Sequence, residues 1–163
     1  MAYGIVDHLK YNVWANEYMA KFIEPLDENL LVKTVQSSFD SLNKTLLHIW
    51  DAEVVWYKRI QGERVKEVPS TFFNGDKTDL ISGLLKSSRG LVSFIEEKDS
   101  PFIHQKIDYS NLKGDAFGNT VEEILFHVVN HSTYHRGQVV TILRHLGIDK
   151  LPATDLIRYA RTN

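Results

Sequence analysis

Apolar residues return every three or four positions in four long stretches of this chain, the period of helices that turn one face inward. Ile5, Val6, Leu9, Val13, Trp14, Tyr18 and Phe22 make the first stretch, and Pro25 ends it. The second runs from Phe39 to Ile60 through Leu42, Leu46, Ile49, Val55 and Trp56, with Ser38 or Asp40 as caps and Gly62 just past its end. From Gln61 to Gly75, Pro69 and Asn74-Gly75 predict a loop. Leu80, Ile81, Leu84, Leu85, Leu91, Val92 and Ile95 then restore the period, in a third helix weakened locally by Gly83 and Gly90.

The pattern changes between Ser100-Pro101 and Thr120. Phe102, Ile103, Ile107, Tyr109 and Phe117 surround Asn111 and Gly114, which predicts a short β-hairpin or an irregular excursion. Thr120-Val-Glu-Glu123 has the form of a capping box. It opens a fourth helix through Ile124, Leu125, Val128, Val129, Val139, Ile142, Leu143 and Leu146, closed by Gly147. A short last helix begins near Thr154 or Asp155 and contains Leu156, Ile157 and Tyr159. Four amphipathic helices of about 18 to 27 residues bury their stripes most economically against one another, so the predicted fold is an all-α four-helix bundle. No repeat, low-complexity tract or linker interrupts the chain, and its 163 residues fit a single domain spanning 1–163.

Composition narrows the chemistry. The chain has no cysteine, which excludes disulfides, iron–sulfur clusters and a protein thiol nucleophile, and leaves nitrogen and oxygen as metal ligands. With 19 basic and 21 acidic residues well mixed, it carries no electrostatic footprint for nucleic acid or an anionic membrane. Met-Ala-Tyr-Gly-Ile-Val-Asp-His at the start lacks a basic region followed by an apolar core. No window approaches 18 uninterrupted apolar residues, so a cytoplasmic location is expected.

The polar residues of the fourth helix carry the chemistry. In His127-Val-Val-Asn-His131-Ser-Thr-Tyr-His135-Arg-Gly-Gln138, three histidines recur every fourth residue. At about 100° per residue, placing His127 at 0° puts His131 near 40°, His135 near 80° and Gln138 near 20°, the same face as Ile124 and Ile142 near 60°. A lone histidine on such a face is ordinarily a core residue with a hydrogen-bond partner. Three imidazoles and an amide in one layer leave many groups to pair, each costing about 1–3 kcal/mol if orphaned, and a shared cation relieves that cost. One helix fixes only part of a site. His48, in the middle of the second helix among Thr45, Ala52, Val55 and Trp56, is the candidate from a facing element. Asp51 and Glu53 lie near −60° and 140° from His48 and read as solvated, or paired with Lys58 or Arg59. Trp14, Trp50 and Trp56 read as core or interface aromatics, and His8, His104 and His145 receive no role.

Leu46-Leu-His48-Ile-Trp-Asp-Ala-Glu-Val-Val-Trp56, together with the helix-four signature, resembles the DinB family of bacterial four-helix-bundle proteins, from Trp14-Ala-Asn16 to the region of Asp155. The resemblance implies an up-up-down-down bundle, usually a homodimer, with one divalent ion held by His48, His131 and His135. It makes His127 a neighbour that shapes or hydrogen-bonds the pocket; spacing alone does not separate His127 from the ligands. Zinc or nickel is the leading metal, with iron and manganese open. Related proteins include transferases and isomerases that use low-molecular-weight thiols, so the implied activity is a metal-dependent hydrolase or thiol S-transferase acting on a small molecule. Its alternative is a non-catalytic metal-binding stress-response module or interaction scaffold. An open three-histidine site lowers the pKa of water or an incoming thiol. Gln138 and Asn130 are candidates for holding the ligands, Trp56 for the pocket, and Tyr134 and Arg136 for contact with substrate or partner.

Overall fold

A computed structural model of the chain describes residues 3–111 and 114–162. In order, its elements are α1 (Ile5–Ile23), a short α2 (Glu28–Val32), α3 (Leu42–Ile60), a one-turn α4 (Pro69–Phe72), α5 (Lys77–Glu96), a short α6 (Ser100–His104), β1 (Lys106–Ser110), β2 (Ala116–Thr120), α7 (Val121–His145) and α8 (Leu156–Thr162). The molecule is mostly helical, and the excursion before α7 is a two-stranded antiparallel sheet with Tyr109 opposite Phe117. No helix among the described residues is long and apolar enough to cross a membrane.

Local chemistry sets the element ends. The Thr120 hydroxyl accepts the Glu123 N–H while the Glu123 carboxylate accepts the Thr120 N–H, closing the predicted capping box. Past the other end of α7, Gly147 takes φ +84°, which is inexpensive only without a Cβ. The second predicted helix begins three residues later than its apolar pattern suggests. Ser41 is extended, and its hydroxyl accepts the Lys44 N–H at 3.3 Å, so Leu42 is the first helical residue and Phe39 lies in the preceding segment. Within the predicted loop before Gly75, Pro69 starts α4 from the first-turn position where its missing N–H costs nothing.

The four long helices pack in pairs, α1 and α3 each against both α5 and α7. Their contacts form two apolar clusters. One gathers Met19, Ile23, Leu42, Leu46, Ile49, Leu80, Leu84, Val139, Ile142 and Leu143. The other gathers Leu9, Ala15, Ile60, Leu91, Ile95, Val121, Leu125, Val128 and Val129. Each fully buried Leu or Ile side chain contributes roughly 1.5–3 kcal/mol. Close approach of α5 to α3 depends on Gly83, where a Cβ would overlap the Trp50 indole. Between the clusters each long helix contributes polar side chains, and these form two groups of different character.

Candidate metal centre

His48 leaves the middle of α3, while His131 and His135 leave successive turns of α7, the helix most extensively packed on α3. One ligand nitrogen from each lies within 4.8 Å of the others. The Nε2 atoms of His48 and His131 face each other at 3.0 Å. At that distance two neutral imidazoles either share a proton or point two lone pairs at a common cation. The rings crowd together, with centroids 4.8 Å apart for His48 and His131, 4.5 Å for His48 and His135, and 4.3 Å for His131 and His135.

The surroundings favour neutral ligands. Burial, followed by the neighbouring His135, His48 and His127, pushes the His131 imidazole down to about 3. His48 is lowered chiefly by burial and then by His135, against an opposing pull from Asp51. A metal needs the lone pair that protonation would occupy. Gln138 accepts from His135 Nδ1 through Oε1 at 2.8 Å, which leaves His135 Nε2 as the lone-pair nitrogen, and its own amide donates to the Ser38 hydroxyl at 3.2 Å. Buried His131 Nδ1 has no hydrogen-bond partner. Three nitrogen donors of borderline softness, two nearly in contact and one ring incompletely satisfied, fit a divalent ion such as zinc or nickel.

Of the predicted site residues, His48, His131 and His135 come together. His127 does not join them: it is exposed one turn away, its ring 5.8 Å from that of His131 and edge-on to Trp56 at 5.2 Å. Trp56, Tyr109, Asn119, Glu123, Ile124 and His127 line a cleft of about 250 Å³ beside the cluster. Asn130 and Tyr134 are exposed. Phe39 is the residue the sequence pattern missed; released from the helix by the Ser41 cap, it stacks on His48 with centroids 4.2 Å apart and touches His135 at 5.6 Å. The only signal for it is its place just before a better cap.

Two expectations are corrected. Glu53 is neither solvated nor paired with Lys58 or Arg59: it is fully buried and accepts from Asn12, Asn16 and Ser88. Arg136 faces no substrate or partner; it is 2% exposed and donates to Asn12, Asn16 and Thr133. Asp51 is half-buried and accepts the Ser70 N–H at 2.8 Å, holding the start of α4 to α3.

Comparison with known proteins gives a family and a fold. The sequence model described as "DinB family" matches residues 2–163. A relative called "Protein DinB" from Bacillus subtilis (strain 168) is 28% identical over 153 residues, which cover 88% of this chain and 86% of the relative. The crystal structure of a DinB-like protein from Bacillus cereus aligns with a TM-score of 0.69 at 18% identity, over 93% of this chain and 99% of the other. One from Bacillus subtilis aligns with a TM-score of 0.67 at 16% identity, over 93% and 97%. At such identities these structures speak to the fold alone.

Proposed function

The chain belongs to the DinB family, and from that premise we propose that it is a metal-dependent enzyme of the hydrolase or low-molecular-weight-thiol S-transferase type, with one divalent ion held by His48, His131 and His135. In this reading the chain is a single four-helix-bundle domain, with α1 and α7 running against α3 and α5 rather than in the expected up-up-down-down order, acting in the cytoplasm as a homodimer within a stress response. Zinc or nickel occupies the site ahead of iron or manganese. The observation that carries the proposal is the convergence of three imidazoles from two helices on one point, with burial lowering the pKa of His48 and His131 and with His131 only partly satisfied.

A divalent ion with only three protein ligands supplies Lewis acidity that brings the pKa of water or a thiol toward neutrality. The chain supplies the rest. Gln138 fixes the tautomer of His135, and Phe39 covers the His48 ring and limits access of bulk water. The cleft bordered by Trp56, Tyr109 and His127 offers a small substrate an aromatic wall with an imidazole and the Asn119 amide at its edge. Having no cysteine, the protein takes any sulfur nucleophile from a cosubstrate.

The test pairs small electrophiles with cellular thiols, and separately with water, using metal-loaded and metal-stripped protein. The proposal expects turnover that requires metal and disappears in His131→Ala. Stoichiometric metal with no turnover, and a large fall in melting temperature on stripping, would support the non-catalytic module instead. No metal and no turnover would leave an interaction scaffold.

A further inference from the structure

We propose that the buried layer of Asn12, Asn16, Glu53, Ser88 and Arg136 sets the register of α7 against α3 and thereby aims His131 and His135 at His48. The inference rests on the metal-centre reading given above, and it makes these five side chains positioning residues.

The layer poses an energetic puzzle. Arg136 is 2% exposed and Glu53 is 0% exposed, yet the two meet through a pair of asparagines. Arg136 Nη1 donates to Oδ1 of Asn12 at 2.6 Å and of Asn16 at 2.8 Å. The amide nitrogens of the same asparagines donate to Glu53 Oε1 at 2.9 and 3.1 Å. Ser88 donates to Glu53 Oε2 at 2.7 Å, and Arg136 Nη2 to the Thr133 hydroxyl at 2.8 Å. Replacing a buried ionic group by apolar residues of similar volume is often neutral or stabilising, so stability alone does not account for such a layer. The best-attested use of buried polar groups is to choose one register among several of similar energy.

Its position suits that use. On α3, α5 and α7 the layer falls between the two apolar clusters, between Ile49 and Ile60, Leu84 and Leu91, and Val129 and Val139; on α1 Asn16 lies between Ala15 and Met19, with Asn12 one turn earlier beside the second cluster. An apolar stripe that repeats every three or four residues nearly matches itself after a slip of one turn, about 5.4 Å. The asparagines do not permit the slip. Each must turn its oxygen to the guanidinium of α7 and its nitrogen to the carboxylate of α3, and only one register satisfies both ends.

The layer ties together the two helices that carry the imidazoles, within about a turn and a half of them. Arg136 follows His135 directly, and Glu53 lies five residues after His48, about 7.5 Å along the helix axis. Productive ligand placement requires roughly half-ångström accuracy, whereas an uncorrected slip of α7 would displace both of its histidines by ten times that distance.

The test titrates Co²⁺ into untagged protein, following its visible d–d bands for affinity and coordination geometry, and records melting of the metal-free form. The layer is made apolar in the combined variant N12L, N16L, E53M and R136M, and weakened in Asn16→Ala, which decides the matter should the combined variant not fold. Ile95→Ala, in the distant cluster, reports what general destabilisation does. The layer variants are expected to bind Co²⁺ about ten- to a hundredfold more weakly, with altered bands, while remaining folded. Ile95→Ala is expected to melt lower with wild-type affinity and bands. Wild-type affinity and bands in the folded layer variants would overturn the inference and leave the metal centre standing, as would an equal loss of affinity in Ile95→Ala. A wild-type protein that takes up no Co²⁺ would overturn both.

Discussion

Two polar groups lie side by side between the apolar clusters, and they differ in how completely they satisfy themselves. Around Glu53 and Arg136, opposite charges are joined by two asparagines with a serine and a threonine at the ends, and Arg136 Nε is left without an acceptor while both Nη atoms and the carboxylate are paired. Among the described residues no carboxylate or amide bridges the rings of His48, His131 and His135, two Nε2 atoms oppose each other, and His131 Nδ1 is unpartnered. A network that joins its own charges is an internal structural element; a cluster whose nitrogens face one another is prepared for something from outside. Both are polar and interior, so burial by itself does not distinguish framework from site. The balance of donors and acceptors does.

That contrast predicts opposite responses to substitution. The largest effect belongs to Arg136→Met, which strands a buried carboxylate and is expected to cost about 3–5 kcal/mol in the metal-free protein, read by denaturant unfolding. A cost below about 1 kcal/mol would mean that the network does not join the two charges in the way described. In His131→Ala the metal-free protein should be nearly unaffected, because the lost ring had an unsatisfied nitrogen. What that variant loses is stabilisation by metal, about 2.7 kcal/mol at a hundredfold excess of ion over Kd, seen as a melting curve that no longer responds to zinc or nickel.

A third difference lies in pH. Burial, opposed by Ser88, Asn12, Arg136 and Asn16, pushes the Glu53 carboxyl up to about 6 from an ordinary 4.5. The groups facing it are Asn12 and Asn16 from α1, Ser88 from α5 and the Arg136 cation from α7. Because the folded state holds this proton more tightly than the unfolded chain, its contribution is fully present below pH 4.5 and lost as pH rises through about 6. It amounts to about 2 kcal/mol in the metal-free protein. Subtracting the stability–pH curve of Glu53→Gln from that of wild type isolates it, and a flat difference across this window would refute it. The smallest effect is that of Gln138→Ala, which frees the His135 tautomer and should weaken metal binding about tenfold, or 1.4 kcal/mol, by calorimetric titration.

The four long helices were legible because each carries one apolar stripe, and α7 because Thr120 and Gly147 mark its ends. The histidines were legible because their spacing on α7 is local and His48 occupies the facing stripe. Glu53 and Arg136 were not. Seen on its own helix, Glu53 points well away from His48 and suggests a solvated face, but α3 is packed by α5 and α7 together, which buries a second side. Its partners lie 41, 37 and 35 residues away at Asn12, Asn16 and Ser88, and a helical period carries no information about a complement at that distance. Phe39 was hidden for a local reason: its apolar side chain fits the helical period, and the Ser41 cap overrides that fit.

The most direct test of the central claim is elemental analysis of untagged protein equilibrated with zinc and with nickel and then freed of excess ion, alongside His48→Ala and His131→Ala, one from each contributing helix. The account predicts about one ion per wild-type chain and close to none in either variant. Wild-type protein without bound metal, or a variant that keeps its full complement, would contradict it.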